Sequence, residues 1–448
     1  MSIFTQLIDM LHGSLWDKLI LFSLPLAFTA FLEQLFNIAD VMILGQYLGK
    51  DAVAAVGTNF PLIIMFICLF IGLSLGSNVV IAQCIGAKRH QEANDAVHAS
   101  WLLAVISGFA LAILGQFVTQ PFLDILKVPP HIASLSDAYL QTYLWSMPAI
   151  SLYNFEAAMF RSRGDTQTPL IGLALSVILN FTLNIWFVQA FTDGVFGVAL
   201  ATVISISVSA LVLLVKLKRA PDVLHLSFRK LHIHPPLMKE IIRIGWPAAL
   251  QGMVFCISNL LIQEVINRLG PDAMAASSIS TSIELCVYCL INAFGQAGTT
   301  FISQNYGARN ILRCLEITKW ALILNLVFTT VTSILVLIFA HQIIYVFNDD
   351  PSVVHLTIQR MWFVVLLEPI QAIIDVYAGA MRGYGFSMMP AMLTLLGICG
   401  VRIVWLYTIF EWNPTFEWLM ATYPVSWGVT GGMLVILYKY FIRHLPRE

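Results

Sequence analysis

Charged residues are scarce in this chain, and their scarcity excludes most classes of soluble protein. Of 448 residues, 11% are charged and 58% are hydrophobic, whereas a soluble domain has roughly 25% charged residues. The formal net charge is −1 and no long basic run occurs, so the chain lacks the positive field that binds nucleic acid. We therefore expect an integral membrane protein without a nucleic-acid partner.

A framework of paired cysteines and a catalytic motif in its usual structural context are also missing. The seven cysteines are odd in number and lie in or beside apolar segments, so structural disulfides are not expected. HExxH does not occur, and the one GxSxG, GLSLG at 72–76, lies inside a hydrophobic run and not at the strand-to-helix turn of a nucleophile. The ten histidines fall in loops or near helix ends. A membrane-embedded enzyme is thus an alternative without candidate residues. We predict no catalytic residue, no metal site and no cofactor.

The first thirteen residues lack the features of a cleavable secretion signal. No basic region precedes the apolar part, and no small-residue cleavage site follows it. Ile3, Phe4, Leu7, Ile8 and Leu11 would share one helical face, which predicts a short helix in the membrane interface. A frayed tail is the alternative.

Long hydrophobic runs follow one another along the rest of the chain. A bilayer core about 30 Å thick requires roughly 20 apolar residues per helix. Twelve stretches qualify, which predicts an all-α polytopic membrane protein. They are 16–47, 52–84, 95–118, 135–160, 168–190, 195–217, 239–268, 273–304, 315–340, 352–382, 388–411 and 424–444.

Lys and Arg are distributed unevenly between the two sides of the membrane. With both termini in the cytoplasm, nineteen of the 24 Lys and Arg face the cytoplasm and Arg402 alone lies within a span. The four assigned to the other side are Lys50, Lys127, Arg268 and Arg360. The positive-inside rule therefore predicts that both termini are cytoplasmic.

The two halves of the sequence repeat one another at an offset of 221 residues. AAMFRSRGDTQTP at 157–169 aligns with AGAMRGYGFSMMP at 378–390, and AQCIGAKR at 82–89 aligns with SQNYGARN at 303–310. Since each half contains six predicted spans, both have the same orientation and form a parallel repeat. We predict two pseudo-symmetric six-helix lobes that flank a cleft and provide alternating access.

A polar stretch midway along the chain separates the two repeats. Residues 219–238 form the only long polar interruption of the hydrophobic pattern. The predicted organisation is an interfacial segment (1–13), an N-lobe (14–218), a cytoplasmic linker (219–238) and a C-lobe (239–448).

Acidic residues at bilayer depth are costly and are therefore candidate functional groups. Glu33, Asn37 and Asp40 share one face of the first predicted helix. Removal from water penalises a charged carboxylate, so such a group can take up a proton on one side and release it on the other. A polar contact between helices is the alternative. Pro25, which aligns with Pro247 in the repeat, indicates either a static kink or a bend that follows the charge of Asp40.

Other polar residues lie deep in later spans. Asn180 and Asn184 share a face of the fifth span and Thr202 lies in the sixth, although such groups often only join helices.

The second half contains further acids and one base within its spans. Glu264 is expected to lie at the membrane–water interface, and Arg402 is expected to pair with Asp375 or Glu368. The candidates for the substrate cleft are Asp375, Glu368, Glu284, Glu156 and Asn154.

Five segments in order resemble the multidrug and toxic compound extrusion (MATE) family over nearly the whole chain. They are NIADVMILGQYLG, QCIGAKR, FRSRGDTQTP, QNYGAR and DVYAGAMRGYG. The resemblance implies twelve helices in two lobes, a V-shaped cleft, and export of amphipathic organic cations in exchange for H⁺ or Na⁺. It also implies that Asp40, Asn180, Asn184 and Thr202 form an N-lobe cation site and that Pro25 is the bending proline. Glu33 and Asn37 join the predicted coupling residues through their shared face with Asp40.

Two positions depart from the family pattern. Asn184 stands where many relatives carry an acid, and Phe255 stands where one branch carries a cation-binding Glu after the proline of the seventh helix. The N-lobe site thus carries less charge, and a C-lobe Na⁺ site is not expected. H⁺ is the preferred coupling ion and Na⁺ the alternative.

The sequence therefore predicts a monomeric secondary-active antiporter in the bacterial cytoplasmic (inner) membrane. Its partners would be the lipid bilayer and a small amphipathic, cationic organic substrate. A flippase for a lipid-linked substrate, with the same wider fold, is the alternative, but it would favour a more cationic cleft than these acids provide.

Overall fold

The computed structural model describes residues 7–125, 130–191 and 194–445. These ranges are almost entirely helical and contain no strand. The helices of the first half are α1 Trp16–Leu48, α2 Lys50–Gly86, α3 His90–Ile125, α4 Pro130–Leu144, α5 Met147–Ser162, α6 Gln167–Ala190 and α7 Gly194–Lys218.

A connecting segment with one 3₁₀ turn, Phe228–Lys230, leads to the second half. Its helices are α8 Pro235–Arg268, α9 Pro271–Gly307, α10 Ile311–Ile338, α11 Ala340–Tyr345, α12 Pro351–Phe363, α13 Glu368–Gly383, α14 Met388–Thr394, a π-helical turn Leu395–Gly400, α15 Val401–Tyr407, α16 Ile409–Trp412, α17 Phe416–Met420 and α18 Thr422–Arg443.

Ten helical segments in the described ranges are long and apolar enough to cross a membrane, and the bent pair α12–α13 (43°) adds an eleventh. These segments coincide with eleven of the twelve predicted spans, and the prediction of an all-α, multi-pass membrane protein is confirmed. The fourth predicted span, 135–160, is divided between α4 and α5.

Prolines at equivalent positions of the repeat lie beside both interrupted helices. Pro148 is the second residue of α5, and Pro369 is the second residue of α13. A proline cannot donate the backbone hydrogen bond that would continue the preceding helix, and it disfavours helical geometry in the residue before it. The sequence repeat thus contains a repeated helix break.

The backbone conformation follows the same offset of 221 residues. Helix ends in both halves use residues with positive φ, which close an αL cap. Arg89 N donates to Cys84 O (2.9 Å), and Asn310 N donates to Asn305 O (2.8 Å) at the equivalent turn. The paired positive-φ residues are Gly49 and Gly270, Lys88 and Arg309, and Gly164 and Gly385.

The chain folds as two compact units. Within the described residues, the first unit contains Phe28–Ala249 together with residues 7–8, and the second contains Asp9–Ala27 and residues 250–445. Both divisions fall inside a helix, two residues after Pro25 in α1 and two residues after Pro247 in α8. The lobe bounds proposed from composition remain a prediction.

Each unit has its own apolar core and an apolar outer surface. In the first unit α2, α3, α5 and α7 pack around a core that contains Phe70, Phe155 and Phe160. In the second unit α9 packs against α10, α12 and α13. Large apolar side chains such as Phe117 and Ile178 are exposed, as expected where lipid replaces water.

The interfacial helix predicted for residues 1–13 is wrong where the structure describes it. Ile3 and Phe4 lie outside the described residues, and 7–13 is not helical. The Asp9 carboxylate accepts the backbone N–H of Leu11 (2.9 Å), a local bond that competes with helix formation. Met10 is fully buried, so this segment packs against protein.

Candidate functional site

Asp40, near the end of α1, is a buried carboxylate with two hydrogen-bond donors from other helices. Its side chain is 5% exposed. Asn184 Nδ2 on α6 donates to Asp40 Oδ1 (2.5 Å), and Thr202 Oγ1 on α7 donates to Oδ2 (3.2 Å). One donor therefore faces each carboxylate oxygen.

Asn180 completes this arrangement, which we call the Asp40 cluster: Asp40, Asn180, Asn184 and Thr202. Asn184 Nδ2 also donates to Asn180 Oδ1 (3.0 Å), and Asn180 Nδ2 donates to Thr202 Oγ1 (3.4 Å). Asn180 and Asn184 lie one turn apart on α6, so a single helix face supplies both amides. All four side chains belong to the first unit.

The Asp40 cluster contains a carboxylate without a basic partner. Within the described ranges, no Lys, Arg or His forms an ion pair with Asp40. A buried charge is tolerated only when it is neutralised or well compensated. The chemistry available to this cluster is therefore reversible binding of a proton or another small cation.

Glu33 and Asn37 share the predicted helix face with Asp40, but they are not hydrogen-bonded into the cluster. Glu33 is half-buried and lies within electrostatic range of Arg161 on α5. Asn37 makes no side-chain hydrogen bond among the residues that the structure describes. Their coupling role remains a prediction.

Two tyrosines of α4 that sequence analysis did not select lie close to the cluster. Tyr139 and Tyr143 are buried, their ring centres lie 5.7 Å apart in a stacked arrangement, and both phenols lie within electrostatic range of Asp40. Their spacing of four residues places both on one helix face. That spacing was the only sequence signal that could have indicated them.

The second unit contains a cavity of about 190 Å³ with both acidic and basic lining residues. One of its two arginines, Arg360, donates two hydrogen bonds to Glu284, from Nε to Oε1 (2.7 Å) and from Nη2 to Oε2 (3.0 Å). Glu368 also lines the cavity, and its Oε2 is buried without a hydrogen-bond partner. Other lining residues include Phe255, Asn259, Tyr288, Arg402 and Tyr423.

The placement of Arg360 outside the predicted spans is wrong, because Arg360 lies in α12 and is 3% exposed. Arg402 is therefore not the only arginine inside a helical span. The pairing proposed for Arg402 with Asp375 or Glu368 is not formed in the described structure. Arg402 Nη1 instead donates to Asn259 Oδ1 (2.8 Å).

Aromatic rings complete the surroundings of Arg402. Its guanidinium lies 4.5 Å from the centre of the Tyr423 ring and 5.4 Å from that of Phe255. Rings at these distances attract a cation. Phe255, the position where the sequence departs from the Na⁺-binding pattern, thus contacts an arginine.

The five residues predicted to line a substrate cleft do not gather at one place. Glu284 and Glu368 line the cavity of the second unit. Asp375 does not line it, and its charge interacts with that of Arg382.

The other two candidates, Glu156 and Asn154, belong to the first unit. Glu156 Oε1 accepts a hydrogen bond from Trp101 Nε1 (3.2 Å), and Asn154 Nδ2 donates to the carbonyl of Ile150 (2.9 Å).

The family model MatE matches this chain twice, at residues 25–186 and 247–408. The chain belongs to the MatE family. The two matches begin at the aligned residues Pro25 and Pro247, so the family model agrees with the repeat found within the sequence. The MatE family consists of transporters, and this protein is a transporter and not an enzyme.

Relatives and solved structures of MatE proteins match nearly the full length of the chain. The probable multidrug resistance protein YoeA of Bacillus subtilis is 26% identical over 440 residues, 96% of this chain and 94% of YoeA. The probable multidrug resistance protein NorM of Thermotoga maritima is 28% identical over 397 residues, 86% of this chain and 84% of NorM. A solved multidrug resistance MATE transporter in its outward-facing conformation has a TM-score of 0.91 at 19% identity and covers 99% of both chains.

Proposed function

We propose that this protein is an antiporter that exports amphipathic organic cations in exchange for protons by alternating access. Asp40 would bind and release the proton, and Asn180, Asn184 and Thr202 would hold its carboxylate in place. Pro25 would allow α1 to bend as the charge of Asp40 changes. The protein would act as a monomer in the bacterial inner membrane with both termini in the cytoplasm.

The single observation that carries this proposal is the absence of a basic partner for Asp40 in the described structure. A carboxylate that was permanently paired with Lys or Arg would stay charged, whereas Asp40 can lose its charge by protonation. One charge that crosses a membrane potential of 100 mV gains about 2.3 kcal/mol. Proton exchange at this residue is thus a sufficient source of energy for export.

The hydrogen-bond donors around Asp40 favour a proton over Na⁺. A metal cation needs lone pairs on several oxygens directed towards it. In the cluster, Asn184 and Thr202 each donate to one oxygen of Asp40, so each oxygen keeps a lone pair. One lone pair is enough to bind a proton, whereas Na⁺ needs further oxygens besides those of Asp40.

The cavity of the second unit supports an organic cation as cargo. Glu368 offers a buried carboxylate oxygen without a partner, and the cavity wall also contains the rings of Phe255 and Tyr288. Carboxylate and aromatic groups together bind organic ammonium ions.

A second candidate cargo carries an acidic group, as a lipid-linked substrate would. Arg402 is 1% exposed, lines the same cavity, and has an Nη2 atom without a hydrogen-bond partner. A guanidinium with a free donor binds carboxylate or phosphate. Fluorescent substrates of each charge, compared in the assay below, distinguish the two cargoes.

Transport in proteoliposomes tests the proposal. A pH gradient or a Na⁺ gradient is imposed separately while uptake of a fluorescent organic cation is followed. We expect the pH gradient to drive uptake in the natural protein and Asp40→Asn to abolish it, since an amide keeps the size of the carboxyl but cannot carry the proton.

Asp51→Asn is the matched control, because Asp51 is an exposed residue at the start of α2. It should transport at the natural rate. Undiminished pH-driven uptake by Asp40→Asn would remove Asp40 from the mechanism. Uptake driven only by Na⁺ would show that the coupling ion is Na⁺.

A further inference from the structure

Three potential metal ligands from separate parts of the first unit meet beside the N-terminal end of α3. Asp95 lies in the second turn of α3, and His232 and His234 lie in the polar segment that leads to α8. One ligand atom from each lies within 4.8 Å of the other two. Sequence analysis predicts no metal site, and it could not bring these residues together, since Asp95 and His232 are 137 positions apart in the chain.

The polar segment is held on α3 by several contacts beside these three residues. Asn94 Nδ2 donates to the carbonyls of Val223 (2.9 Å) and His225 (2.8 Å). The backbone N–H of Ser227 donates to His98 Nε2 (3.1 Å). These contacts hold residues 223–227 against α3, so His232 and His234 follow a fixed point by five and seven residues.

Hydrogen bonds orient two of the ligands. His232 Nδ1 donates to the carbonyl of Lys230 (2.7 Å), which leaves the lone pair on Nε2 available. Gln91 Nε2 donates to Asp95 Oδ1 (3.1 Å). Such partners fix the tautomer and direction of metal-binding side chains.

The third ligand is His234, the residue directly before α8. His234 Nε2 is buried without a hydrogen-bond partner. It lies 3.9 Å from Asp95 Oδ1, which is beyond hydrogen-bond distance. Its ring lies 3.9 Å from that of His232. A ligand atom from each of two imidazoles and one carboxylate thus lies within 4.8 Å of the other two, and His234 Nε2 has no hydrogen-bond partner in the described chain.

We propose that Asp95, His232 and His234 bind one Zn²⁺ ion, which fastens the polar segment to α3. Two imidazole nitrogens select a transition metal or zinc over Mg²⁺ or Ca²⁺, which prefer oxygen. Zinc–ligand bonds of about 2.0–2.2 Å in a tetrahedral site place the ligand atoms roughly 3.3 Å apart. Here these atoms lie within 4.8 Å of one another, so movements of about 1 Å by the side chains would close the site. His232 is exposed, and water completes the coordination.

Metal binding to the full-length purified protein in detergent tests this site. Zn²⁺ is titrated against a chromophoric chelator, and the visible d–d spectrum of bound Co²⁺ reports the coordination. We expect one ion per chain in the natural protein. The double variant His232→Ala/His234→Ala should lose that ion, and Asp95→Asn should bind it at least tenfold more weakly.

His225→Ala is the matched control, because His225 is an exposed histidine of the same segment whose backbone makes the contact with Asn94. It should bind Zn²⁺ like the natural protein. An ion that persists in the double variant is bound elsewhere, for example by a cysteine, and overturns the proposal. The absence of bound ion in the natural protein overturns it as well.

Limited trypsin digestion provides a second readout that does not depend on a chelator. Arg229 and Lys230 are exposed cleavage sites in the 3₁₀ turn next to the ligands. Zn²⁺ should slow cleavage there in the natural protein and in His225→Ala, but not in the double variant. Equal cleavage rates of all three proteins without metal show that the double variant is folded. Cleavage that Zn²⁺ does not slow in the natural protein contradicts the fastening of the segment.

Discussion

At the scale of single residues, the buried acids of this protein have two different kinds of hydrogen-bond partner. Glu284 and Arg360 satisfy one another through two hydrogen bonds, and Arg360 also donates to Thr281 Oγ1 (3.0 Å). Asp40 has only neutral donors. A paired charge is fixed, whereas an unpaired one can be neutralised and restored, so a change of charge is expected at Asp40 and not at Glu284.

The Glu284–Arg360 pair gives a stability prediction. Arg360→Met leaves the carboxylate of Glu284 buried and unpaired, which should cost about 3–5 kcal/mol. The double variant Glu284→Gln/Arg360→Met removes both charges and should recover most of that loss. Thermal unfolding in detergent measures both, and equal melting temperatures for the single variant and the natural protein would contradict the pairing.

At the scale of secondary-structure elements, small residues allow the closest helix contacts. Ser151 on α5 donates to the carbonyl of Ala104 on α3 (2.9 Å) and bonds Ser107 Oγ (3.2 Å). A Cβ at Gly108 would lie 2.6 Å from Pro148 Cα. Because small side chains bring helix backbones together in a membrane, this face of α3 sets the position of α5.

Gly108→Ala should therefore destabilise the first unit, because neither backbone can move away without breaking the serine contacts. Forced overpacking typically costs about 1–3 kcal/mol. Gly57→Ala is the control, since a Cβ at Gly57 of α2 meets nothing within 4 Å, and it should be neutral or stabilise by up to about 1 kcal/mol. Melting temperatures that fall equally for both variants would show that packing at Gly108 is not the cause.

At the scale of the whole molecule, the two units repeat one architecture with different chemistry. The turn at Lys88 and the turn at Arg309 have the same conformation. Thr299 Oγ1 donates to the carbonyl of Gly379 (3.0 Å) where Asn78 Nδ2 donates to that of Ala158 (3.1 Å). The first unit contains the Asp40 cluster, and the second contains the cavity with paired and unpaired charges. The shared frame thus supports two kinds of site.

The proposed orientation follows from the distribution of basic residues and is tested with reporter fusions. We expect a fluorescent protein fused to the C-terminus to fold in the cytoplasm and to fluoresce. Alkaline phosphatase fused after Leu269 should be active, because that loop is predicted to lie outside, and a fusion after Lys218 should be inactive. The reverse pattern would invert the orientation, although the helical fold would be unaffected.

Sequence alone determined the features of this protein that depend on neighbouring residues. Run length and hydropathy identify the spans because crossing a bilayer is a requirement on each helix separately. The repeat follows from comparing aligned residues. Sequence analysis predicts continuous spans at 135–160 and 352–382, so the helix breaks before Pro148 and Pro369 are a finding of the structure, although the aligned prolines were a signal for them.

The tertiary structure decided which polar side chains meet, because those contacts join residues far apart in the chain. Thr202 reaches Asp40 across 162 positions, whereas Glu33, only seven residues from Asp40, is not hydrogen-bonded into the cluster. Arg402 binds Asn259 and not an acid, and Asp95 meets His232 and His234. The helix face fixes the direction in which a side chain points, but only the packing of the helices determines which other group the side chain contacts.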